Sequence, residues 1–236
     1  MKKLVIGIDG PASSGKSTIA SILAKHFNIL HLNTGSMYRA FAFYCKKNNV
    51  CFDNEADVVE VINKCDLNIK FENGIQQDYI DNILVTPFLR DEEIGKGSSV
   101  VSQYANVRKR AVEIQRYIAE NMSVVMEGRD ITSEVLPNAD FKFFITATAE
   151  ERANRRYKEL IEKNIACDYS TILKEVKERD FRDTTRKNSP LKLVPDAIYI
   201  DTTNLNVQEV IEIIVNNIEK NEKNTWFYKN SMLYYV

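Results

Sequence analysis

The chain has 236 residues, of which 44% are hydrophobic and 28% are charged, which is ordinary for one globular domain with its own core. Its formal net charge of −1 provides no overall attraction to nucleic acid or to an anionic membrane, so neither is expected as a partner. No stretch is apolar enough to span a bilayer and the first residues lack a signal-peptide pattern, so we expect a cytoplasmic location.

Short apolar runs alternate with amphipathic helical patterns along most of the chain, which favours an α/β fold with a parallel sheet covered by helices. Strands are predicted at Leu4–Ile8, Ile29–Leu32, Val124–Glu127, Phe141–Thr146 and Ala197–Asp201. Helices are predicted at Ser17–Phe27, Asn106–Asn121, Ala149–Lys163, Thr171–Arg179 and Val207–Glu219. The stretch Asn33–Tyr38, after the second strand, is interpreted as a turn.

The segment from about residue 48 to residue 94 interrupts this alternation. Ala56–Cys65 has a helical pattern, and the strand-like stretches Leu67–Phe71, Ile75–Ile80 and Ile83–Thr86 follow it. Asn73-Gly74 separates the first two of them, and Asn-Gly tolerates the positive φ of a tight hairpin turn. We therefore predict an insertion that carries a small antiparallel sheet.

A phosphate-binding loop lies between the first strand and the first helix. Its residues fit the pattern G-x-x-x-x-G-K-[ST] at every required position: Gly10, Pro11, Ala12, Ser13, Ser14, Gly15, Lys16 and Ser17. Glycines let the backbone fold around a phosphate, and the amide groups at the helix start attract the anion. We expect Lys16 to reach the β- and γ-phosphates of a bound nucleotide, Ser17 to bind Mg²⁺ and Thr18 to contact the α-phosphate. This P-loop predicts binding of a nucleoside triphosphate and leaves the reaction open.

A set of arginines outside the loop points to phosphoryl transfer. The arginines are Arg39, Arg108, Arg129, Arg155, Arg156, Arg179, Arg182 and Arg186, and Asp130, Asp180 and Asp183 lie beside them in the sequence. Arg129 follows a predicted strand, and parallel sheets bind ligands at those strand ends. Donor and acceptor phosphates repel each other, and the permanently charged fork of arginine binds phosphate bidentately. A phosphate acceptor is itself nucleophilic, so no dedicated catalytic base is required.

Two other classes of function stay open at this point. Asn63-Lys64-Cys65-Asp66 matches the N-K-x-D guanine-binding motif of GTPases, which would suit a nucleotide-dependent switch or binding module. The aromatic tail at 221–236 could pack on the core or could mediate self-association.

The order and spacing of these motifs resemble the bacterial cytidylate kinase family of P-loop nucleoside monophosphate kinases. The resemblance covers nearly the whole chain up to about residue 220. It rests on Ile8–Ser17, Thr34–Arg39, Leu89-Arg90 with Ser98-Ser99, Val107-Arg108, Glu127–Asp130, Glu151–Arg156 and Glu178–Asp183. The chain departs from the family, which often has Asp at the positions of Asn33 and Glu127 and charged residues at those of Thr184 and Thr185.

The resemblance implies a P-loop NTPase fold with a five-stranded parallel sheet flanked by helices. It also implies one kinase domain over 1–220, with a core of 1–40, 98–150 and 190–220, a monophosphate-binding insertion at about 41–97 and a helical lid at about 151–189. The implied activity transfers the γ-phosphate of ATP to CMP or dCMP with Mg²⁺, giving ADP and CDP or dCDP. We expect a monomer, and UMP, AMP or a small metabolite remain alternative acceptors.

The resemblance also implies residue roles. Thr34, Arg39 and Arg129 would bind the acceptor phosphate, and Arg179 and Asp183 would contact the sugar. Cytosine would be recognised by Ser99, Arg108, Asp130 and Arg186. Arg155 and Arg156 would belong to the lid over ATP. The predicted catalytic residues are Lys16, Arg39, Arg129 and Arg155.

Overall fold

The computed structural model describes residues 3–232, with side chains described for residues 3–220. Its strands are β1 (Val5–Asp9), β2 (Leu30–Asn33), β3 (Leu67–Glu72), β4 (Ile75–Ile80), β5 (Ile83–Leu84), β6 (Val124–Gly128), β7 (Phe141–Thr146) and β8 (Ile198–Asp201). Its helices are α1 (Lys16–Phe27), α2 (Thr34–Lys47), α3 (Glu55–Asn63), α4 (Glu92–Val101), α5 (Ala105–Asn121), α6 (Ala149–Glu162), α7 (Tyr169–Thr185) and α8 (Val207–Met232).

The central sheet has the strand order β2-β6-β1-β7-β8. Each neighbouring pair is parallel, with Asp9 opposite Gly128 and Asn33 opposite Glu127. The carboxyl ends of all five strands therefore lie at one edge, where the P-loop also begins. This confirms the predicted five-stranded parallel sheet.

Helices cover both faces of the sheet. Buried side chains of α1 and α8, such as Leu23 and Ile214, form one apolar layer with β1 and β7. Met37 and Phe41 of α2, with Ala111 of α5, form the layer on the other face. Every residue of β1 and β6 is buried, which explains why both strands begin with apolar runs and carry their charged residues, Asp9 and Glu127, only near the carboxyl ends.

The prediction of a turn at Asn33–Tyr38 is wrong, because α2 begins at Thr34. The Asn33 side chain caps this helix by accepting a hydrogen bond from the Ser36 amide at 3.1 Å. Thr, Gly and Ser are weak helix formers, so the first turn of α2 resembles a loop in sequence. Burial of Met37 in the core stabilises the helix despite this weak propensity.

Two further differences lie in the insertion. The predicted strand Ile83–Thr86 is shortened to β5, because a 3₁₀ turn starts at Thr86. Helix α4 was not predicted, since Gly95 and Gly97 lower the helix propensity of its sequence. Gly97 is required there by packing: a Cβ at this position would lie 2.6 Å from the Phe52 ring.

The insertion carries the predicted antiparallel sheet, in the order β3-β4-β5. Its middle strand, β4, contacts both β2 and α2. The insertion is therefore attached to the core beside the carboxyl edge of the central sheet.

Helices α6 and α7 contact each other and enclose a small apolar cluster of Ala153, Ile172 and Val176. The predicted helix Thr171–Arg179 is longer at both ends, as α7 shows. Helix α8 extends past the predicted Glu219, but the side chains of the aromatic tail at 221–236 lie outside the described residues. Among the helices that the structure describes, none is long and apolar enough to cross a membrane.

Candidate active site

The phosphate-binding loop is shaped by two glycines with positive φ. Gly10 has a φ of +151°, and a Cβ there would lie 1.9 Å from the carbonyl oxygen of Ile145 in β7. Gly15 has a φ of +90° and caps the start of α1. Only glycine fits the first position, so the loop runs directly against the central sheet. Ser13, Ser17 and Thr18 are exposed at its surface.

Lys16 is buried inside this loop. Its ammonium donates to the Pro11 carbonyl at 2.5 Å and to Ser14 Oγ at 3.2 Å. Burial lowers the pKa of Lys16 well below its ordinary value, and the positive charge of Arg129 lowers it further. A second cation thus lies close to the P-loop lysine, an arrangement that a phosphate group would stabilise.

Glu127, at the end of β6, faces the same loop. Its carboxylate lies 3.3 Å from His31 Nε2 of β2. Burial alone would raise the pKa of Glu127, but the hydrogen bond with His31, the charge of Lys16 and a hydrogen bond with Ser17 hold it below its ordinary value. Glu127 is thus an ionised carboxylate next to the Ser17 hydroxyl of the loop.

Thr34 lies where β2 meets β6. Its hydroxyl donates to the Glu127 carbonyl at 2.8 Å. A Cβ on Gly128 would lie 2.7 Å from this hydroxyl and 2.8 Å from Ile131. The close approach of Thr34 to the β6 backbone therefore depends on the absence of a side chain at position 128.

Arg129 follows β6 and is held by an aspartate of α7. Its Nε donates to Asp183 Oδ2 at 2.8 Å, and Arg179 Nε lies 4.0 Å from the same oxygen. Burial, together with the charge of Arg129, lowers the pKa of Arg179 to about 10. One buried carboxylate thus binds Arg129 and lies close to Arg179, and its single negative charge only partly balances the two arginines.

Arg39 lies near Arg156 of α6, whereas Arg155 of the same helix lies beside the P-loop. Arg39 Nη1 donates to the Leu89 carbonyl at 2.9 Å, and burial with the nearby charge of Arg156 lowers the pKa of Arg39. Arg155 instead donates to the hydroxyl of Thr202 at 3.1 Å and to its carbonyl at 2.6 Å, beside Gly15. Arg155 and Arg156 are adjacent in sequence but therefore face different neighbours.

A cluster of buried charged side chains surrounds Asp130. The Asp130 carboxylate accepts a hydrogen bond from Arg108, and Arg186 Nη2 lies 3.8 Å from its other oxygen. All three residues are buried. Ser99 Oγ and Arg186 Nη2 are buried without a hydrogen-bond partner among the described residues. Buried polar atoms are nearly always paired, so these two atoms keep unused hydrogen-bonding capacity.

The structure brings the predicted residues to one edge of the sheet, in two groups. Lys16, Arg129, Arg179, Arg39 and Arg156 form a connected set of cations, as their mutual effects on pKa show. Arg108, Asp130 and Arg186 form the second group, and the charges of Arg186 and Asp183 also affect each other. Arg155 and Thr18 lie on the side of the P-loop.

A profile of the family described as cytidylate kinase matches residues 6–220. The chain belongs to the cytidylate kinase family. The cytidylate kinase of Caldicellulosiruptor bescii is 44% identical over 95% of this chain and 99% of its own length. That of Fusobacterium nucleatum subsp. nucleatum is 42% identical over 93% of this chain and 99% of its own.

The fold of this family member also has a structural relative. An uncharacterized protein from Eubacterium ventriosum superposes with a TM-score of 0.53 at 16% identity, over 92% of this chain and 99% of that one. At so low an identity the likeness concerns the fold alone.

Sequence reasoning missed three buried polar residues at the site of this cytidylate kinase family member. Asp9 accepts hydrogen bonds from the amides of Ile131 and Thr132 at 2.8 and 2.7 Å, which fixes the backbone after Asp130. Arg152 binds the carbonyls of Ala147 and Ala12, and Thr202 contacts Arg155. Asp9 and Arg152 lie within the family motifs, and that position was the only available signal.

The guanine-binding motif does not join this site. Asn63 ends α3 and Lys64 caps it, so the four residues lie between α3 and β3 of the insertion. Their backbone carbonyls at Asn63 and Cys65 accept hydrogen bonds from Arg110. The match is therefore a feature of the insertion and does not follow a strand of the central sheet.

Proposed function

We propose that this chain transfers the γ-phosphate of ATP to CMP or dCMP, giving ADP and CDP or dCDP. The observation that carries the proposal is that three of the seven buried side-chain polar atoms without hydrogen-bond partners among the described residues are Ser99 Oγ, Arg179 Nε and Arg186 Nη2. All three belong to residues predicted to contact a nucleotide opposite the P-loop. Relatives that match nearly their whole length are named cytidylate kinase, which favours cytosine.

On the donor side, the backbone of Gly10–Ser17 would bind the ATP phosphates. The Lys16 ammonium would exchange the Pro11 carbonyl for oxygens of the β- and γ-phosphates, which would relieve the cost of its burial. Thr18 would contact the α-phosphate. Arg155 and Arg156 would approach ATP from α6.

On the acceptor side, the phosphate would be bound by Thr34, Arg39 and Arg129. Asp183 already orients Arg129, so the guanidinium keeps free N–H groups for a phosphate oxygen. The sugar would contact Arg179 and Asp183. Cytosine would complete the pocket formed by Ser99, Arg108, Asp130 and Arg186, where a base lacking the matching groups leaves buried polar atoms unpaired.

Mg²⁺ would be held by oxygen atoms at the P-loop. The Ser17 hydroxyl is exposed and lies beside the Glu127 carboxylate, and such hard oxygen donors suit Mg²⁺. The ion binds through few protein groups together with phosphate oxygens and water, and it would neutralise charge on the β- and γ-phosphates. Ser17 is the proposed ligand, with Glu127 beside it.

Catalysis by these residues consists of positioning and charge neutralisation. Lys16, Arg39, Arg129 and Arg155 would surround the transferring group, whose charge spreads over three oxygens. The acceptor phosphate attacks without a protein base. Exclusion of water would protect ATP from hydrolysis.

We also propose the division of the chain that the family resemblance implies. The core would comprise 1–40, 98–150 and 190–220, with the monophosphate-binding insertion at about 41–97 and the lid at about 151–189. The small apolar cluster between α6 and α7 supports a lid, because a segment with few buried contacts opens at low cost in free energy. A cytoplasmic monomer without membrane or nucleic-acid partners is proposed from composition and charge.

An acceptor panel tests the function. ADP release from ATP and Mg²⁺ is measured with CMP, dCMP, UMP, AMP and no acceptor, and ATP and GTP affinities are compared. We expect CMP or dCMP to give the highest kcat/KM and ATP to bind more tightly. Brisk turnover with another acceptor alone would refute the substrate assignment, and tight GTP binding without phosphoryl transfer would favour a nucleotide-dependent switch.

A further inference from the structure

The insertion meets the core through the inward face of β4. Gln76, Asp78 and Ile80 share this face because alternate residues of a strand point the same way. Strand β4 contacts β2, which is an edge strand of the central sheet. Asp78 is only 1% exposed, and a carboxylate is rarely buried to that extent without partners.

Gln76 pairs with the backbone at the end of β2. Its Oε1 accepts the Asn33 amide at 2.7 Å, and its Nε2 donates to the Asn33 carbonyl at 3.4 Å. The side-chain amide thus takes the place of a peptide group of a neighbouring strand. It satisfies both backbone groups of an edge residue that has no further strand beside it.

Asp78 continues this contact into the first turn of α2. It accepts hydrogen bonds from Gln76 Nε2 at 2.9 Å and from the Ser36 hydroxyl. Its own amide donates to Thr86 Oγ1 at 2.7 Å, which fixes the strand within the insertion. Burial raises the pKa of Asp78, and the hydrogen bonds from Ser36 and Gln76 oppose that change.

The segment held in this way contains the residues proposed to bind the acceptor phosphate. Thr34 lies between Asn33 and Ser36, and Arg39 lies on the next turn of α2. The Asn33 side chain also reaches Ser17 Oγ of the P-loop at 3.5 Å. The contact chain therefore runs from Gln76 of the insertion, through Asn33 next to Thr34, to Ser17 of the donor loop.

We infer that Gln76 and Asp78 are positioning residues for the acceptor phosphate, acting through Asn33 and Ser36 on Thr34 and Arg39. The inference rests on the proposed function, because it takes the acceptor to be a monophosphate bound there. Neither residue touches the nucleotide. A purely structural role would instead stabilise the insertion and affect nucleoside and nucleotide binding alike.

The test uses two neighbouring glutamines. Gln76 and Gln77 are both half-buried, but Gln77 points to the opposite face of β4. Gln76→Ala, Gln77→Ala and Ser36→Ala are compared with the unaltered chain. Calorimetry gives the Kd of CMP and of cytidine, and their ratio isolates the contribution of the phosphate. Steady-state kinetics gives KM for CMP and for ATP, and thermal melting reports the stability of each variant.

We expect Gln76→Ala to raise the Kd and KM of CMP about five- to tenfold, as if the displaced acceptor residues lost about one hydrogen bond to the phosphate. The Kd of cytidine and the KM of ATP should stay within about twofold of their values in the unaltered chain. Ser36→Ala should change the ratio of the CMP Kd to the cytidine Kd by less, and Gln77→Ala should leave this ratio unchanged. Equal loss of CMP and cytidine affinity, or equal behaviour of Gln76→Ala and Gln77→Ala, would overturn the inference. If the acceptor panel selects another monophosphate, that nucleotide and its nucleoside replace CMP and cytidine, so the two proposals fail separately.

Discussion

The P-loop and the proposed acceptor pocket would bind anions in different ways. The loop is a contiguous stretch whose backbone and single lysine satisfy one another locally, as the contact between Lys16 and the Pro11 carbonyl shows. The acceptor pocket is assembled from side chains far apart in sequence, such as Arg129 and Asp183 or Arg108 and Asp130. A backbone cradle suits any phosphate, whereas paired side chains with unfilled hydrogen-bonding capacity suit one nucleotide.

The largest effect is expected from Lys16→Ala, which removes the only side-chain cation that lies inside the described P-loop. We predict a loss in kcat of about 10²–10³-fold, because the transferring phosphate loses its central positive charge. Lys25→Ala, at an exposed position of the same helix, is the control. Turnover of the Lys16 variant close to that of the control would remove Lys16 from its proposed role.

Arg129→Lys tests whether the acceptor pocket depends on geometry in addition to charge. Lysine keeps the charge but loses the fork that binds Asp183 and that would bind a phosphate at the same time. We predict a fall in kcat/KM for CMP of about 10–100-fold, with the KM of ATP little changed.

A matched control is Arg116→Lys, which also loses a forked contact, here with the carbonyls of Glu134 and Val135 outside the proposed site. If both substitutions reduced activity to the same small extent, Arg129 would not be a phosphate ligand.

The smallest effect concerns pH and stability. Burial alone would raise the pKa of Asp183, but Arg129 and Arg179 hold it below its ordinary value of 3.8. Because the folded chain then binds fewer protons than the unfolded chain, this stabilisation is present above about pH 4 and is lost as the pH falls through the folded pKa.

Urea unfolding between pH 3 and pH 6 measures this contribution. We expect Asp183→Asn to reduce the acid-induced fall in the free energy of unfolding, by at most about 1.4 kcal/mol per pH unit. Asp53→Asn, at an exposed position, should leave the slope as it is. An unchanged slope in the Asp183 variant would show that its pairing with the arginines does not stabilise the fold.

The contrast between loop and pocket also decides what the sequence could predict. The P-loop, the central strands and the arginine set were predicted because each has a local pattern or a recognisable motif. The first turn of α2 was not, since the cap at Asn33 and the burial of Met37 overcame weak local propensity. The role of Asp9 depends on amides more than 120 residues away, which no local pattern encodes.

The same limit applies to the insertion. Its hairpin was predicted from alternation and from Asn73-Gly74, and β3 and β4 confirm it. The contact of Gln76 with Asn33 was not predicted, because the alternation that places Gln76 on the inward face does not say which backbone that face meets.

Arg152 has a consequence for how the two helices of the proposed lid can move. Its guanidinium joins the start of α6 to Ala147 and Ala12, and it also binds Asp180 of α7. Both helices thus share one fixed point with the P-loop. A rotation of the pair would pivot beside the ATP phosphates, and its displacement would grow toward the exposed connection at 163–166. Residues near Arg152 would therefore stay in place beside the nucleotide while the opposite end of the helix pair moves.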